Sequence, residues 1–542
     1  MKNYLQVLLS SIILLSTYSL NAQISYGGKP HDFGKSIDLP PFEQTNPSLL
    51  SHIDLTDTKD CGALEFAKNL SLNTKGEIKW QYISTDQKDI YRLGIVSPGA
   101  LAVGLYFSEF YLPPQAQLFM YSPDYKQVKG AYTANSNPEN GLFAIDYVLG
   151  DSLIIEYQLP KNSKQKAHLQ ISEVLHAYRN VDIRYGETKD AGFCEVNVNC
   201  PEGDGKKRQR DAVVRLLIKN GSKSSFCSGS VVNNTSEDRT PYILTADHCG
   251  KNASEDDLTQ MLIYFNYQSE GCEDPVQPPA LQSMLGCELI AASSNAHILG
   301  SDFFLVKLLE DIPEDYHPYF AGWSRSIAPS AKGYGIHHPD GDIKKISTYT
   351  QTLTTATYSN GIPNAHWRVV WAKTETNHGV TEGGSSGSPI FNEWGYIVGT
   401  LTGGQASCSN LLAPDFYGKM SYHWEANGSE DDQQLKPWLD PLQTGAENLS
   451  GVFLGVEEDP LNTQQIAQIA PNPASSQIAF HFSKTTGEEY QLSIRSISGQ
   501  QLWQQEIAIN QNKIDISFLP SGIYFCQIKS GDKKQILKLI KL

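Results

Sequence analysis

Three serines and three glycines crowd the segment Glu382-Gly-Gly-Ser-Ser-Gly-Ser-Pro389, immediately ahead of the apolar pair Ile390-Phe391. A Gly/Ser linker would continue polar and unpatterned. Here the strand-like Gly395-Tyr-Ile-Val-Gly-Thr-Leu401 follows after a short turn, so the segment reads as a tight loop tied to strands. Glycine permits the unusual dihedrals with which such a loop turns successive backbone N–H groups toward one point, as stabilisation of an oxyanion requires. A serine hydroxyl is a weak nucleophile until a neighbouring base takes its proton. His248 offers that base at the end of the apolar run Tyr242-Ile-Leu-Thr-Ala-Asp-His-Cys249, beside a cysteine able to hold it. The base in turn needs a carboxylate to fix its tautomer, and Asp302 stands directly ahead of the apolar Phe303-Phe-Leu-Val306. Singly, each has a plainer reading: one packed histidine among 13, or an aspartate that starts a strand from a turn. The order His248, Asp302, Ser386 is one of the few known orders of a triad built for acyl transfer.

The elements that must position these residues are short strands. AVVRLLIKN, PYILTAD, DFFLVKLL and YIVGTLTGG lie between residues 190 and 455 and are separated by loops, the pattern of an all-β barrel or sandwich. Residues 23–189 alternate apolar and polar types between Gly, Pro, Asn and Asp, which predicts a β-rich region without a cluster of catalytic types. The acidic, polar Val456-Glu-Glu-Asp-Pro-Leu-Asn-Thr-Gln-Gln465 reads as a linker, and a last β unit runs from 466 to 542. At the start, Lys2 precedes an apolar run that closes on Asn21 and Ala22, so residues 1–22 read as a secretory signal peptide. The run is short for a membrane span, and no other stretch reaches that length.

LTADHCG, SDFFLVKL and GGSSGSP together resemble the His, Asp and Ser motifs of chymotrypsin-fold serine peptidases, most closely the bacterial lysyl endopeptidases. CEVNVNCPEGDG at 194–205, CSGSVVNNT at 227–235, GIHHP at 335–339, GVTEGGSSGSP at 379–389 and PWLDP at 437–441 extend the likeness over about residues 190–445. The resemblance implies an all-β, chymotrypsin-like double barrel without a cofactor, in which Ser386 attacks the scissile carbonyl, His248 is base and then acid, and Asp302 orients His248. It places the oxyanion at the N–H groups of Gly384 and Ser386. It also implies a substrate pocket with Asp415 as its floor, in Pro414-Asp-Phe-Tyr-Gly418, and Thr402 and Gly403 in its wall. Val380 stands six residues before Ser386, where trypsin-like enzymes carry the acid, so the trypsin solution is absent. Thr402 replaces the histidine of the family's Leu-His-Gly-Gly wall, and a threonine neither stacks nor titrates as that histidine would.

The resemblance further implies the disulfides Cys194–Cys408, Cys200–Cys272 and Cys227–Cys249, leaving Cys61, Cys287 and Cys526 unassigned. Lys189 precedes Asp190-Ala-Gly-Phe-Cys194 and is the natural self-processing site of an enzyme that cleaves after lysine, which makes residues 23–189 a pro-region. The tail, with Pro471-Asn-Pro473 and Leu519-Pro-Ser-Gly-Ile-Tyr524, resembles the C-terminal sorting domains of the type IX export route of Bacteroidetes-like bacteria. That implies transit of the periplasm, contact with the secretion machinery, and a secreted or surface-attached enzyme; protein or peptide substrates and a monomeric state are expected besides. Arginine or mixed basic specificity, and an inactive adhesin of the same fold, stand as alternatives. The net charge of −16 argues against nucleic acid as a partner. His337 and His338 lack companions at metal-ligand spacing and read as packed side chains, with no metal expected.

Overall fold

The computed structural model describes residues 25–35, 42–43, 63–72, 80–179, 191–275, 279–293, 300–453, 467–470, 472–482, 490–496, 501–507, 513–530 and 533–542. The expectations for the leader, Cys61, Lys189, Pro471 and the linker 456–465 lie outside these residues. The chain divides into two compact units, residues 1–455 and 456–542. It is an all-β protein with a few short helices.

Two barrel-like sheets occupy residues 213–453. In the first, Val213–Asn220, Lys223–Val231, Tyr242–Thr245 and Phe304–Leu308 follow one another as antiparallel neighbours. Cys287–Ala292 pairs with Phe304–Leu308. Gln282–Leu285, separated from Cys287 by Gly286 alone, pairs with Leu262–Phe265, which returns to Val213–Asn220. One bent run therefore joins both ends of the sheet and closes it. Alternate apolar residues fill the inside, among them Val214, Leu216, Ile243, Ile263, Phe304 and Val306.

The second sheet runs in the order Lys345–Tyr349, Gly333–His337, Pro389–Asn392, Ile397–Gly404, Asp415–Lys419, His366–Val369, Thr354–Ala356. Strands from both ends of that path share one core, where Tyr349 and Leu353 meet Trp367, Trp371, Val380 and Tyr417. A further apolar cluster joins the two barrels, bringing Leu244, Phe303 and Leu305 of the first against Ile336, Ile346, Phe391 and Ile397 of the second. The triad candidates come from strand ends and loops along this seam.

Residues 80–179 form a sandwich with its own core, in which Leu93, Ile95, Met120 and Ile155 face Val103, Leu105, Ile145 and Val174. One layer is a separate sheet. The other is continuous with the first barrel, because Leu64–Ser71 lies between His168–Ala177 and Lys223–Val231. The carboxy-terminal unit is a smaller sandwich of a three-stranded and a four-stranded sheet around Ile478, Phe480, Leu492, Ile494 and Ile528.

Candidate active site

Tyr242–Thr245 is a fully buried apolar strand, and Asp247–Gly250 turns away from it as a single helical turn that carries His248. Asp302 sits at φ 61°, a backbone conformation aspartate tolerates better than most residues, one residue before the strand pattern resumes. Its carboxylate grips His248 twice. Oδ2 lies 2.7 Å from His248 Nδ1, and Oδ1 accepts the His248 backbone N–H at 3.0 Å. Both side chains are shielded from solvent. A proton on Nδ1 leaves Nε2 as an acceptor, and Nε2 is a buried atom without a hydrogen-bond partner among the described residues, Ser386 included. Cys227–Cys249 bonds the residue after His248 to the neighbouring strand.

The serine loop is clamped on two sides. Ser228 of the first barrel donates its N–H to Ser386 O at 2.8 Å and its hydroxyl to Gly384 O at 3.0 Å. On the other side Gly387 N donates to Leu401 O, and Leu401 N to Ser388 O, both at 2.9 Å. Gly387, at φ +77°, backs so closely on the strand leading to His248 that a Cβ there would lie 2.0 Å from Thr245 Oγ1. Ser385 has a supporting role: its hydroxyl accepts Glu382 N–H at 3.2 Å and lies 2.8 Å from His337 Nδ1. The chain continues from His337 Nε2 to Ser347 Oγ at 2.9 Å, and Ser347 donates to Val380 O at 2.7 Å. His338 is held at Nδ1 by Asp342 O, and burial pushes its pKa well below the ordinary value. The amide N–H groups of Gly384 and Ser386 have no acceptor among the described residues. Ser386 itself is buried to within 6% of exposure.

Asp415 is fully buried at the start of its strand. Its Oδ2 accepts Trp371 Nε1–H at 2.7 Å and Thr381 Oγ1–H at 2.6 Å, while Oδ1 accepts Ala406 N–H at 3.3 Å. It pairs in register with Gly404, and a Cβ on Gly404 would lie 2.2 Å from Asp415 Oδ1. Gly403 opposes Phe416 across the same ladder, past an irregularity at Thr402. Thr402 is buried and its Oγ1 lies 3.0 Å from His366 Nε2. So an imidazole does border the wall where Thr402 stands, but it comes from the neighbouring strand His366–Val369. Burial drives His366 down to about 4, against the attraction of Asp302. Behind Asp302, Ser301 Oγ meets His423 Nδ1 at 2.8 Å and Asn427, and His423 Nε2 meets Thr400 Oγ1 at 3.0 Å. Burial holds His423 at about 3.

Sequence reasoning missed Trp371, Thr381, His366, His423 and Ser228. Thr381 and Ser228 carried a signal, their places in the blocks GVTEGGSSGSP and CSGSVVNNT; Trp371, His366 and His423 come from segments whose adjacency no spacing announces. The structure also bonds Cys194 to Cys408 and Cys200 to Cys272, and leaves Cys287 and Cys526 as buried thiols. Cys194, Cys408 and Glu195 cluster within ligand distance of one another, but both sulfurs are consumed by the disulfide. No helix of the described residues is long and apolar enough to cross a membrane.

Residues 188–418 match the family described as "Lysyl endopeptidase, C-terminal domain", and residues 468–542 match "Secretion system C-terminal sorting domain". The second match marks a secreted or cell-surface protein and implicates the type IX machinery. Among curated proteins, the chain is 27% identical over 277 residues to a lysyl endopeptidase of Pseudomonas aeruginosa, covering 48% of this chain and 56% of that relative. It is 25% identical over 309 residues to a secreted RxLR effector protein of Plasmopara viticola, covering 54% of this chain and 71% of the relative. The chain thus spans little more than half the length of the first of these. Among solved structures it is similar to a thermostable serine protease from an extremophilic microorganism, at 14% identity and a TM-score of 0.27, covering 39% of this chain and 92% of the other.

Proposed function

We propose that the chain is a secreted serine endopeptidase that hydrolyses peptide bonds on the carboxyl side of lysine through an acyl-enzyme. The observation that carries this reading is the 2.7 Å contact of His248 Nδ1 with the buried Asp302 carboxylate, which leaves Nε2 to act as base. Ser386 Oγ loses its proton to His248 Nε2 and attacks the carbonyl carbon. The oxyanion that forms is met by the N–H groups of Gly384 and Ser386, and loss of one such donor typically costs a factor of about 10² to 10³ in turnover. His248 then gives its proton to the leaving amine. Water, activated by the same imidazole, frees the acyl group and regenerates the serine.

Asp415 supplies the lysine preference. Its Oδ2 already accepts two donors, which leaves little capacity for the parallel two-oxygen pairing that a guanidinium favours, whereas an ammonium needs a single oxygen. The close approach of Gly404 and the flanking Trp371 narrow the space around the carboxylate. Cleavage after Lys189 by the same chemistry severs residues 23–189, a pro-region, from the peptidase domain, after export across the periplasm. Amino-terminal sequencing that finds another mature start overturns that maturation site.

Digestion of a mixed peptide library, read by mass spectrometry beside a Ser386→Ala variant, tests the whole reading. Cuts after lysine that fall by at least about ten-thousandfold in the variant are expected. Cuts after arginine at equal rate would keep the triad and overturn the pocket argument. No cleavage by matured protein would leave a binding protein of the same fold.

A further inference from the structure

One edge of the strand Lys223–Val231 has three successive neighbours. Ser230 and Val231 pair with Leu244 and Ile243, Ser228 donates its N–H to Ser386 O, and Lys223–Phe226 pair with the amino-terminal region through Lys68, Ala67, Glu65 and Leu64. The nucleophile loop therefore lies on this edge with the Asp415 strands on its far side. A peptide whose acyl carbonyl sits at Ser386 and whose lysine points to Asp415 must send its leaving half the other way, toward Phe226. Leu64–Ser71 already lies there. Its Leu64 end is nearest the loop, so its chain runs away from the nucleophile from N to C, as the leaving half of a bound peptide would.

We propose that Leu64–Ser71 is an inhibitory strand that occupies the leaving-side half of the substrate cleft, an inference that rests on the endopeptidase reading. The contacts are close. A Cβ on Gly383 would lie 3.1 Å from Leu64 Cδ1, next to the candidate oxyanion residue Gly384. Phe66 is fully buried and stacks on Phe226 at 4.1 Å between centroids. Asn69 donates to Gly221 O and Lys223 O and accepts from Ser224 Oγ at 2.8 Å. Glu65 pairs with Lys223 at 2.7 Å.

The strand is backed by its whole sandwich. Gln260 Nε2 donates to Phe107 O and Phe143 O, Tyr264 OH donates to Asp146 Oδ1, and Lys219 reaches Glu173 at 3.1 Å. Strand addition of this kind gains affinity from main-chain bonds and specificity from alternate side chains. Cutting the connector between residues 179 and 191 breaks none of these contacts, so cleavage alone leaves the strand in place. A competing peptide must displace it.

The test compares two substrates on the full chain, with Lys189→Gln to hold the connector, and on peptidase separated through an inserted specific protease site. Lysine 4-nitroanilide has no residues beyond the scissile bond, whereas a quenched peptide carries four. The full chain is expected to turn over the anilide within about threefold of the separated peptidase, but to show at least about tenfold lower kcat/KM on the peptide. Leu64→Asp closes that gap. Glu65→Lys, which sets like charge against Lys223 at the rim, makes the same test without altering the buried contact. Equal slowing of both substrates, or a gap that neither variant narrows, overturns the proposal. Separated peptidase that cleaves neither substrate overturns the endopeptidase reading and this proposal with it.

Discussion

At the scale of single residues, the proposed function divides the work of two buried carboxylates, Asp302 serving catalysis and Asp415 the choice of substrate. Asp302→Asn fits the same left-handed backbone position but presents an amide to His248 Nδ1, which favours the wrong tautomer. Turnover is expected to fall by about 10⁴ with little change in KM, read from steady-state kinetics. Asp415→Asn removes the charge proposed to pair with lysine while leaving an acceptor for Trp371 and Thr381. The kcat/KM preference for lysine over an uncharged side chain is expected to drop by about a thousandfold or more. An unchanged preference would put the pocket elsewhere. As candidates, residues of this kind were legible where chemistry sits in contiguous motifs, as with His248, Asp302 and Ser386. Trp371 and His366 were not, because their roles arise only when His366–Val369 pairs with Asp415–Lys419, and pairing partners are not written in local spacing.

At the scale of elements, short strands are held by buried basic groups that resist protonation. His366 ties its strand to Thr402, and His423 ties the helix Met420–Glu425 to Ser301 and Thr400. Burial holds them at about 4 and about 3, against an ordinary value of 6.5. The unfolded chain binds these protons first as pH falls, so the stability they allow is fully present above about 6.5 and is lost progressively toward 4. His366→Gln is expected to flatten the fall of the melting temperature between those limits.

Lys344 works at the other end of the scale. It is fully buried, donates to Arg210 O at 2.7 Å, and is held at about 7 by desolvation. Above that value the native state carries it neutral while the unfolded state stays charged up to its ordinary 10.5, so stability rises with pH across this window. Lys344→Met should raise the melting temperature at pH 7 and remove that slope. The short apolar runs AVVRLLIKN, PYILTAD and DFFLVKLL were legible as strands and the resemblance implied the double barrel, but no local pattern shows which run closes it. That depends on one bent run, Gln282–Ala292, reaching two different neighbours.

At the scale of the whole molecule, the carboxy-terminal sandwich has its own core and forms a separate compact unit. A chain ending at Gly455 is therefore expected to keep the kcat/KM and the main thermal transition of the full protein, within about 2 °C, while failing to reach the medium. A large shift in that transition would mean the tail contributes to the fold of the rest. The amino-terminal sandwich is different, since it shares a sheet with the first barrel.

His248 and Asp302 are anchored to the first barrel, whereas the loop carrying Ser386 leads directly into Pro389–Asn392 of the second. The candidate triad thus spans the apolar seam between the barrels like the jaws of a caliper. Slippage along that seam would break the bonds from Ser228 to Ser386 O and Gly384 O while both barrels stay folded, so mild denaturant should silence turnover before circular dichroism registers any loss of strand. Catalytic output then serves as a gauge of how two folded bodies are seated.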